Sequence, residues 1–392
     1  MNKKLSYVDI INILAIIVFT YIQNVANSFT IFCENYHIKY YILFLIAIFD
    51  LLLVNKSKGK ISFFRDGKFF FEAKSIFRFF FIIFIITILC QIKNGFNSFI
   101  INEFLYIIVP LVFAIIMIMC SGNKSEKIIN ILFYWYIMLF FITNISNLTL
   151  ANIKTISFSK SYSPFESGLS NAFYIFEFYY LVRNEKKKSF LSLFFTVLSL
   201  KRISMLFGIL TFIIMPILKK MALKNIKINN TIFFLTVFVF VIITLLMNFA
   251  YQPEFANFIR TNYGIEINEL TLDRYQRTSF IIENKDKINQ GLGSTTYFLE
   301  NYYRVPAKAR NLHNDLLRIL YECGIIGLIS MLYFYFKAVK NNIFSFSLMI
   351  SLFANSLFNH NFLGAGVAES WIVIYFVIYW INYENKIFFK GE

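Results

Sequence analysis

The sequence predicts an all-α protein that crosses a membrane many times, and three observations lead to this fold class. Hydrophobic residues make up 58% of the 392 residues, and the chain contains 51 phenylalanines. Only 15% of the residues are charged, and the mean hydropathy is +0.62. Apolar runs of about the length of a bilayer-spanning helix recur along the chain. Soluble domains rarely have this composition, so we predict one transmembrane domain over residues 1–392.

About twelve spans are predicted when each apolar run is compared with the roughly twenty residues of a spanning helix. The predicted spans are 8–25, 39–54, 75–92, 103–120, 128–145, 171–182, 189–200, 203–218, 231–250, 312–336, 344–363 and 368–383. The sixth and seventh are the shortest. The first run lacks a clear small-residue cleavage site, so we expect a retained helix instead of a signal peptide.

Lysines and arginines predict the orientation of these spans, because short cytoplasmic segments are enriched in both residues. With the N-terminus in the cytoplasm, most of these cations fall in inner segments, such as residues 56–74, 183–188 and 219–227. Both termini are therefore predicted to be cytoplasmic. The net charge is +16, but it is scattered among short loops, so we expect no nucleic-acid partner.

One polar stretch, residues 251–312, separates the ninth and tenth predicted spans and is expected to form one large extracytoplasmic loop. It is rich in cations, which are Arg260, Arg274, Arg277, Lys285, Lys287, Arg304, Lys308 and Arg310. Membrane topology does not require this density of positive charge on that side. Arginine remains charged and binds phosphate oxygens in a bidentate manner. We therefore interpret the loop as a site for a polyanionic ligand.

Within this loop, apolar residues at 270–282 recur at helical spacing, which predicts an amphipathic helix at the membrane interface. Arg274 and Arg277 lie three residues apart on an adjacent face of that helix. Spacing alone is equally consistent with arginines that face a phosphate and arginines that face solvent or lipid head groups. A second cationic pair, Lys201 and Arg202, lies between two apolar runs, where charged groups are costly and usually paired or functional. Snorkelling toward head groups is the alternative explanation.

His313 begins the tenth span, where its imidazole could accept a proton near neutral pH. The alternative is a hydrogen-bonded histidine at the interface; His360 is a weaker second candidate. Further along the same span, Glu322 is expected to pair with a cation, and the glycines at 324 and 327 to allow close helix approach. Gly291 and Gly293 predict a tight turn in the loop.

In this order, the motifs resemble the bacterial O-antigen polymerase and O-antigen ligase family. The shared pieces are the loop arginine, Gly291-Leu292-Gly293, His313-Asn314 followed by Leu317, and Glu322-Cys323-Gly324 followed by Gly327, entering a membrane helix. The resemblance extends over Arg202 and residues 274–328. An aromatic residue commonly follows the loop arginine in that family, whereas Ser279 and Phe280 occupy this region here.

The resemblance implies a GT-C-like glycosyltransferase that needs no metal and no other cofactor. It implies catalytic roles for His313, as the general base, and for Arg274 and Arg202. The residues that it implies for substrate binding are Arg277, Lys201, Arg304, Arg310 and Asn314. The expected partners are an undecaprenyl-pyrophosphate-linked oligosaccharide, membrane lipids and a chain-length regulator.

Three other functions remain open alongside a polymerase that joins such repeat units into O-antigen or capsule at the outer face of the bacterial cytoplasmic membrane. A ligase would transfer the finished glycan to the lipid A core. A flippase would move the same lipid-linked oligosaccharide across the membrane, although we find no internal repeat of the kind typical of transporters. The third alternative is a membrane scaffold or an acyltransferase, and an acyltransferase would use His313 with Asp315. The composition is rich in Lys, Ile, Phe and Asn, which suggests an AT-rich genome of a bacterium without lipid A and favours the polymerase.

Overall fold

The computed structural model is helical in every regular element of the residues that it describes. These residues are 5–25, 38–56, 67–121, 124–149, 152, 154–155, 165, 169–199, 202–224, 226–266, 274–288, 290–303, 312–359, 362–363 and 372–381. The helices are α1 Tyr7–Asn24, α2 Ile38–Lys56, α3 Gly67–Asn94, α4 Ser98–Ser121, α5 Ser125–Asn144, α6 Leu169–Val182, α7 Lys186–Leu198, α8 Arg202–Leu223, α9 Asn230–Ala250, α10 Pro253–Tyr263, α11 Arg274–Glu283, α12 Lys285–Ile288, α13 Ser294–Tyr302, α14 Asp315–Val339, α15 Ile343–Ser356 and α16 Ile372–Ile381.

Each predicted span overlaps one of these helices, and the prediction of a helical membrane protein is confirmed. Seven of the described helices are long and apolar enough to cross a membrane, namely α1, α3, α4, α5, α8, α9 and α14. The two shortest predicted spans correspond to α6 and α7, which have only 14 and 13 residues. The apolar helices α15 and α16 are also short.

Burial separates the helices at the centre of the bundle from those at its surface. Every residue of α6 except Val182 is buried. It packs in an aromatic cluster in which the ring of Phe173 stacks on that of Phe195 with centroids 5.0 Å apart. By contrast, α8 and α9 expose large apolar side chains such as Ile213 and Phe234. Exposed apolar side chains of this kind on a helical bundle are typical of a surface that faces lipid.

Ion pairs join the helices at one end of the bundle, which we call the cation end. Lys124, just before α5, pairs with Asp9 of α1 across 2.5 Å. Arg183, just after α6, pairs with Glu126 of α5 across 2.7 Å. These cations belong to segments that the sequence predicts to be cytoplasmic.

The short helices α10–α13 lie between α9 and α14, at the opposite end of the bundle, which we call the loop end. They contain the described part of the predicted large loop, and the predicted amphipathic helix is present as α11. Its buried residues are Thr278, Ser279, Ile281 and Ile282. The side chains of Ile281, Phe298 and Leu317 belong to one small apolar core that fastens α11 and α13 to the start of α14. These two helices of the loop are therefore packed onto the end of the bundle.

Candidate functional site

A small cleft at the loop end brings together several of the residues singled out from the sequence. Its lining consists of Tyr251, Arg274, Arg277, Thr278, Leu312, His313 and Asn314. The two arginines come from α11, and the histidine comes from the segment that leads into α14. Residues that are almost forty positions apart in the chain thus face one another because the apolar core beneath α11 holds it against the beginning of α14.

Arg274 is fixed by a contact with the end of α15. Its Nη1 donates a hydrogen bond of 2.7 Å to the backbone carbonyl of Phe358. On the other side lies Tyr251, whose ring stacks on that of Tyr275 with centroids 6.4 Å apart. Burial raises the pKa of the Tyr251 phenol, and the Arg274 guanidinium opposes this shift. Tyr251 is therefore a neutral hydrogen-bonding group beside a permanent cation.

Arg277 lies one helical turn after Arg274 and differs from it in its contacts. Its Nη1 is buried and has no hydrogen-bond partner among the described residues. A buried polar group without a partner is uncommon, and a charged one is more costly than a neutral one. An anion that entered the cleft would satisfy this guanidinium. The cleft thus offers positive charge together with an unused donor.

His313 lies where α14 begins, between a buried leucine and the helix cap. The side-chain oxygen of Asn314 accepts a hydrogen bond of 2.9 Å from the Leu317 amide, which makes Asn314 the N-cap of α14. The His313 ring is partly exposed in the cleft. The N-terminal end of a 25-residue helix adds partial positive charge beside it. Asn314 therefore has a structural role here, whether or not it also binds substrate.

Arg202 is the first residue of α8 and is exposed at the same end of the bundle. Two residues later, the Ser204 hydroxyl donates a hydrogen bond of 2.8 Å to Asn171 of α6. Asn355 of α15 donates to the same Asn171 oxygen across 3.2 Å. This polar junction ties the start of α8 to the end of α15. Arg202 does not line the described cleft, but it lies beside the helix end that holds Arg274.

Three further residues implied by the resemblance fall outside the described residues. They are Lys201, Arg304 and Arg310. The weaker histidine candidate, His360, also lies outside them. For these four positions the sequence predictions stay predictions.

Beneath the cleft lies a buried ion pair in which the sequence reasoning named only one partner. Arg318, which is 1% exposed, donates from Nε to Glu322 Oε1 across 2.9 Å. Its Nη2 lies 3.7 Å from Glu103 Oε2 of α4. The expectation that Glu322 pairs with a cation is confirmed. The available signal for Arg318 was its spacing of four residues from Glu322, which places both on one face of a helix.

Glu322 also anchors the glycine turn of the loop. Its Oε2 accepts a hydrogen bond of 2.9 Å from the Gly293 amide, and its Oε1 accepts one of 3.1 Å from the Thr295 amide. The turn itself uses left-handed backbone, with φ of 98° at Gly291 and 100° at Gly293. A Cβ on Gly291 would lie 2.7 Å from the Thr87 Cα of α3. The predicted turn is present, and it inserts among α3, α4 and α14.

Gly324 has a different role from the one expected. It has φ of 69° and ψ of −172°, which interrupts α14 with non-helical backbone. A Cβ on Gly324 would meet nothing within 4 Å, so the residue does not serve close helix approach. The interruption lies two residues after Glu322, whose carbonyl accepts a hydrogen bond of 3.2 Å from the Gly291 amide. The kink thus permits α14 to bind the glycine turn through its backbone.

A larger cleft of about 450 Å³ opens on the loop end next to this site. It is lined by Leu245, Asn248, Gln252, Pro253, Glu254, Ile282, Glu283, Lys285, Leu320 and Tyr321. The Tyr321 hydroxyl donates to Asn248 across 2.5 Å. Polar amides, carboxylates and an aromatic ring share this lining with apolar side chains. No group of three or more potential metal ligands occurs among the described residues.

No protein-family model, curated protein or solved structure significantly matches this chain.

Proposed function

We propose that this protein is a glycosyltransferase that joins undecaprenyl-pyrophosphate-linked oligosaccharide repeat units into a surface polysaccharide. In this proposal the loop end faces outward from the cytoplasmic membrane, as the distribution of lysines and arginines predicts. The cleft between α11 and α14 is its active site. The fold supplies apolar helices that can hold the polyprenyl chain beside that cleft.

The observation that supports this function most directly is the arrangement of Arg274, Arg277 and His313 around one cleft. The Nη1 of Arg277 has no partner among the described residues, so a diphosphate oxygen is a suitable acceptor for it. Arg274 is held in place by Phe358 and adds a second cation. The N-terminal end of α14 also favours an anion.

The residues of the cleft can account for the bonds that change. The acceptor sugar hydroxyl attacks the anomeric carbon of the donor unit, so a carbon–oxygen bond forms there. The bond from that carbon to the pyrophosphate oxygen breaks, and the electron pair stays on the pyrophosphate. Arg274 and Arg277 stabilise the negative charge that develops on this leaving group. His313 takes the proton of the attacking hydroxyl as general base.

The test is replacement of His313 by alanine in cells that produce the polymer. Loss of a positioned base lowers the rate by about 10²- to 10⁴-fold. Folding and donor binding should change little, because the His313 ring is not part of the apolar core. Single repeat units on their lipid carrier should then accumulate at the outer face. Asn301→Ala, an exposed change on α13, is the matched control and should produce normal polymer.

The leaflet and the length of the stalled material separate this proposal from its alternatives. Stalled units at the inner leaflet would mean that the protein moves the lipid, and the base role of His313 would be wrong. Finished polymer that remains on its carrier would mean that the protein is a ligase. Polymer of normal amount and length in the His313→Ala strain would exclude His313 from the chemistry altogether.

A further inference from the structure

Glu177 in α6 is a buried carboxyl group that the cleft chemistry does not use. Its side chain is completely buried, and neither carboxyl oxygen has a hydrogen-bond partner among the described residues. The other buried acids in the described part of the chain have partners: Asp9, Asp50, Glu103, Asp315 and Glu322 contact a cation, an amide side chain or a backbone amide. Glu177 is therefore the exception.

In the described part of the chain, no cation or hydrogen-bond donor contacts the Glu177 carboxyl group to stabilise a negative charge. Its Oε2 packs against Gly208 of α8, where a Cβ would lie 2.7 Å away. Leu193 of α7 approaches the same point. Tyr174, one turn earlier in α6, is the neighbouring titratable group. An isolated carboxylate in such a place is strongly disfavoured, whereas the neutral acid is tolerated.

A column of polar side chains extends from the loop end toward Glu177. It starts at Asn359, which donates to Asn355 across 2.7 Å, and continues to Asn171 of α6. One turn deeper, the Tyr174 hydroxyl donates to Ser351 of α15 across 2.5 Å. Tyr174 also accepts a hydrogen bond of 3.4 Å from Thr211 of α8. Polar groups thus occupy successive turns where α6, α8 and α15 meet. The last of them, the Tyr174 hydroxyl, makes no hydrogen bond to Glu177, so the final transfer requires a water molecule or a movement of the side chain.

We propose that Glu177 is a proton-binding site and that its proton exchanges with the loop end through this polar column. The ligand is a proton, held as the neutral carboxylic acid. Loss of the proton would leave a carboxylate against Gly208 and would push α6 and α8 apart. This role holds whether the protein joins lipid-linked sugars or transports them.

Infrared spectroscopy of the purified full-length protein tests the site directly. A protonated carboxylic acid has a C=O stretching band that is separate from those of carboxylates and amides. We expect Glu177→Gln to lose a band of this kind that the wild type has, and Glu126→Gln to retain it, since Glu126 is paired with Arg183. If Glu177→Gln does not fold, Glu177→Asp should shift the band. Spectra in which neither variant changes this region would overturn the proposal.

The route is tested by transfer of the same protein into heavy water, where the band shifts as the proton is replaced. Tyr174→Phe removes the hydroxyl that joins Ser351 and Thr211 and should slow this shift several-fold. Tyr180→Phe is the matched control, because its hydroxyl, in the same helix, donates to Asn130 near the cation end. Exchange in Tyr174→Phe at the rate of the Tyr180→Phe protein would show that the proton does not use the column.

Discussion

Two arginines at the loop end, Arg318 and Arg277, have the same side chain in different surroundings. Arg318 is enclosed, with Glu322 at 2.9 Å and Glu103 at 3.7 Å; its Nη2 makes no hydrogen bond among the described residues, but it has the Glu103 carboxylate as an ion-pair partner. Arg277 borders a cleft, and its Nη1 has no partner among the described residues. A buried cation that has carboxylate partners holds helices together. Arg277 has no carboxylate partner among the described residues, and in the proposed function an anion from outside the chain takes that place.

The difference has an energetic reason. Burying a charge costs free energy, and nearby opposite charges recover that cost only when the geometry is good. The cluster around Arg318 meets this condition because Glu322 also accepts backbone amides from the glycine turn. At Arg277, part of the free-energy cost of burying the guanidinium group is not recovered. We therefore expect substitution of Arg318 to lower mainly the stability of the protein, and substitution of Arg277 to lower mainly its activity.

The largest effect is expected from Arg318→Leu. Removing one partner of a buried ion pair costs about 3–5 kcal/mol, because the remaining carboxylates stay buried without compensation. Thermal unfolding of the purified protein in detergent should show a large loss of stability. Adding Glu322→Gln to Arg318→Leu should recover part of it. A single variant as stable as the wild type would mean that this pair does not hold the loop to the bundle.

Arg277→Ala should affect ligand binding instead of stability. A hydrogen bond to a charged group contributes about 1.5–3 kcal/mol, so the free energy of binding the donor's pyrophosphate should become less favourable by about this amount. Arg277→Lys should also be poor, since bidentate contact is lost. Polymer formation and thermal unfolding are measured on the same variants, and the unfolding temperature should not fall.

Arg274→Ala and Arg202→Ala are expected to abolish polymer formation while the protein is present at normal levels. Polymer of wild-type length in both variants would mean that these two arginines do not bind the pyrophosphate.

Gly293→Ala tests how strongly the turn depends on its close approach to α4. Left-handed backbone costs a non-glycine residue about 1–3 kcal/mol, and a Cβ here would lie 2.7 Å from the Glu103 Cβ. Gly264→Ala is the matched control, because Gly264 also has positive φ but nothing within 4 Å of its Cβ position. Gly293→Ala should lower the free energy of unfolding more than the control does. Equal losses would mean that α4 can yield to the added methyl group.

The smallest effect concerns Asn314, which caps α14 beside His313. Asn314→Ala should lower stability by about 1 kcal/mol through loss of the cap. Asn314→Asp keeps a capping oxygen, so stability should be retained, but the added negative charge opposes an anion in the cleft. Comparison of the unfolding temperatures and polymer yields of the two variants checks both statements. An Asp variant with full activity would argue against anion binding next to this cap.

Several features of the site were predictable because they depend on local pattern. The positions of Arg274 and Arg277 on one helix follow from its apolar spacing, and the turn follows from Gly291 and Gly293. The contacts of those residues were not predictable. The Phe358 carbonyl that holds Arg274 lies 84 positions further along the chain. The periodicity of apolar residues along the chain does not predict a contact between residues so far apart.

By itself, the sequence determined that the protein is a bundle of apolar helices and where the long apolar helices lie, because hydrophobic length and helical period are local properties of the chain. It also determined that one polar segment concentrates arginines. Only the tertiary structure decided that Gly324 bends α14 instead of packing a neighbouring helix, and that Arg318 is the partner of Glu322. It alone decided that Glu177 has no hydrogen-bond partner among the residues that the structure describes. These outcomes depend on which side chains meet in a bundle interior of low polarity, where the free energy of a charge is set by its neighbours in space.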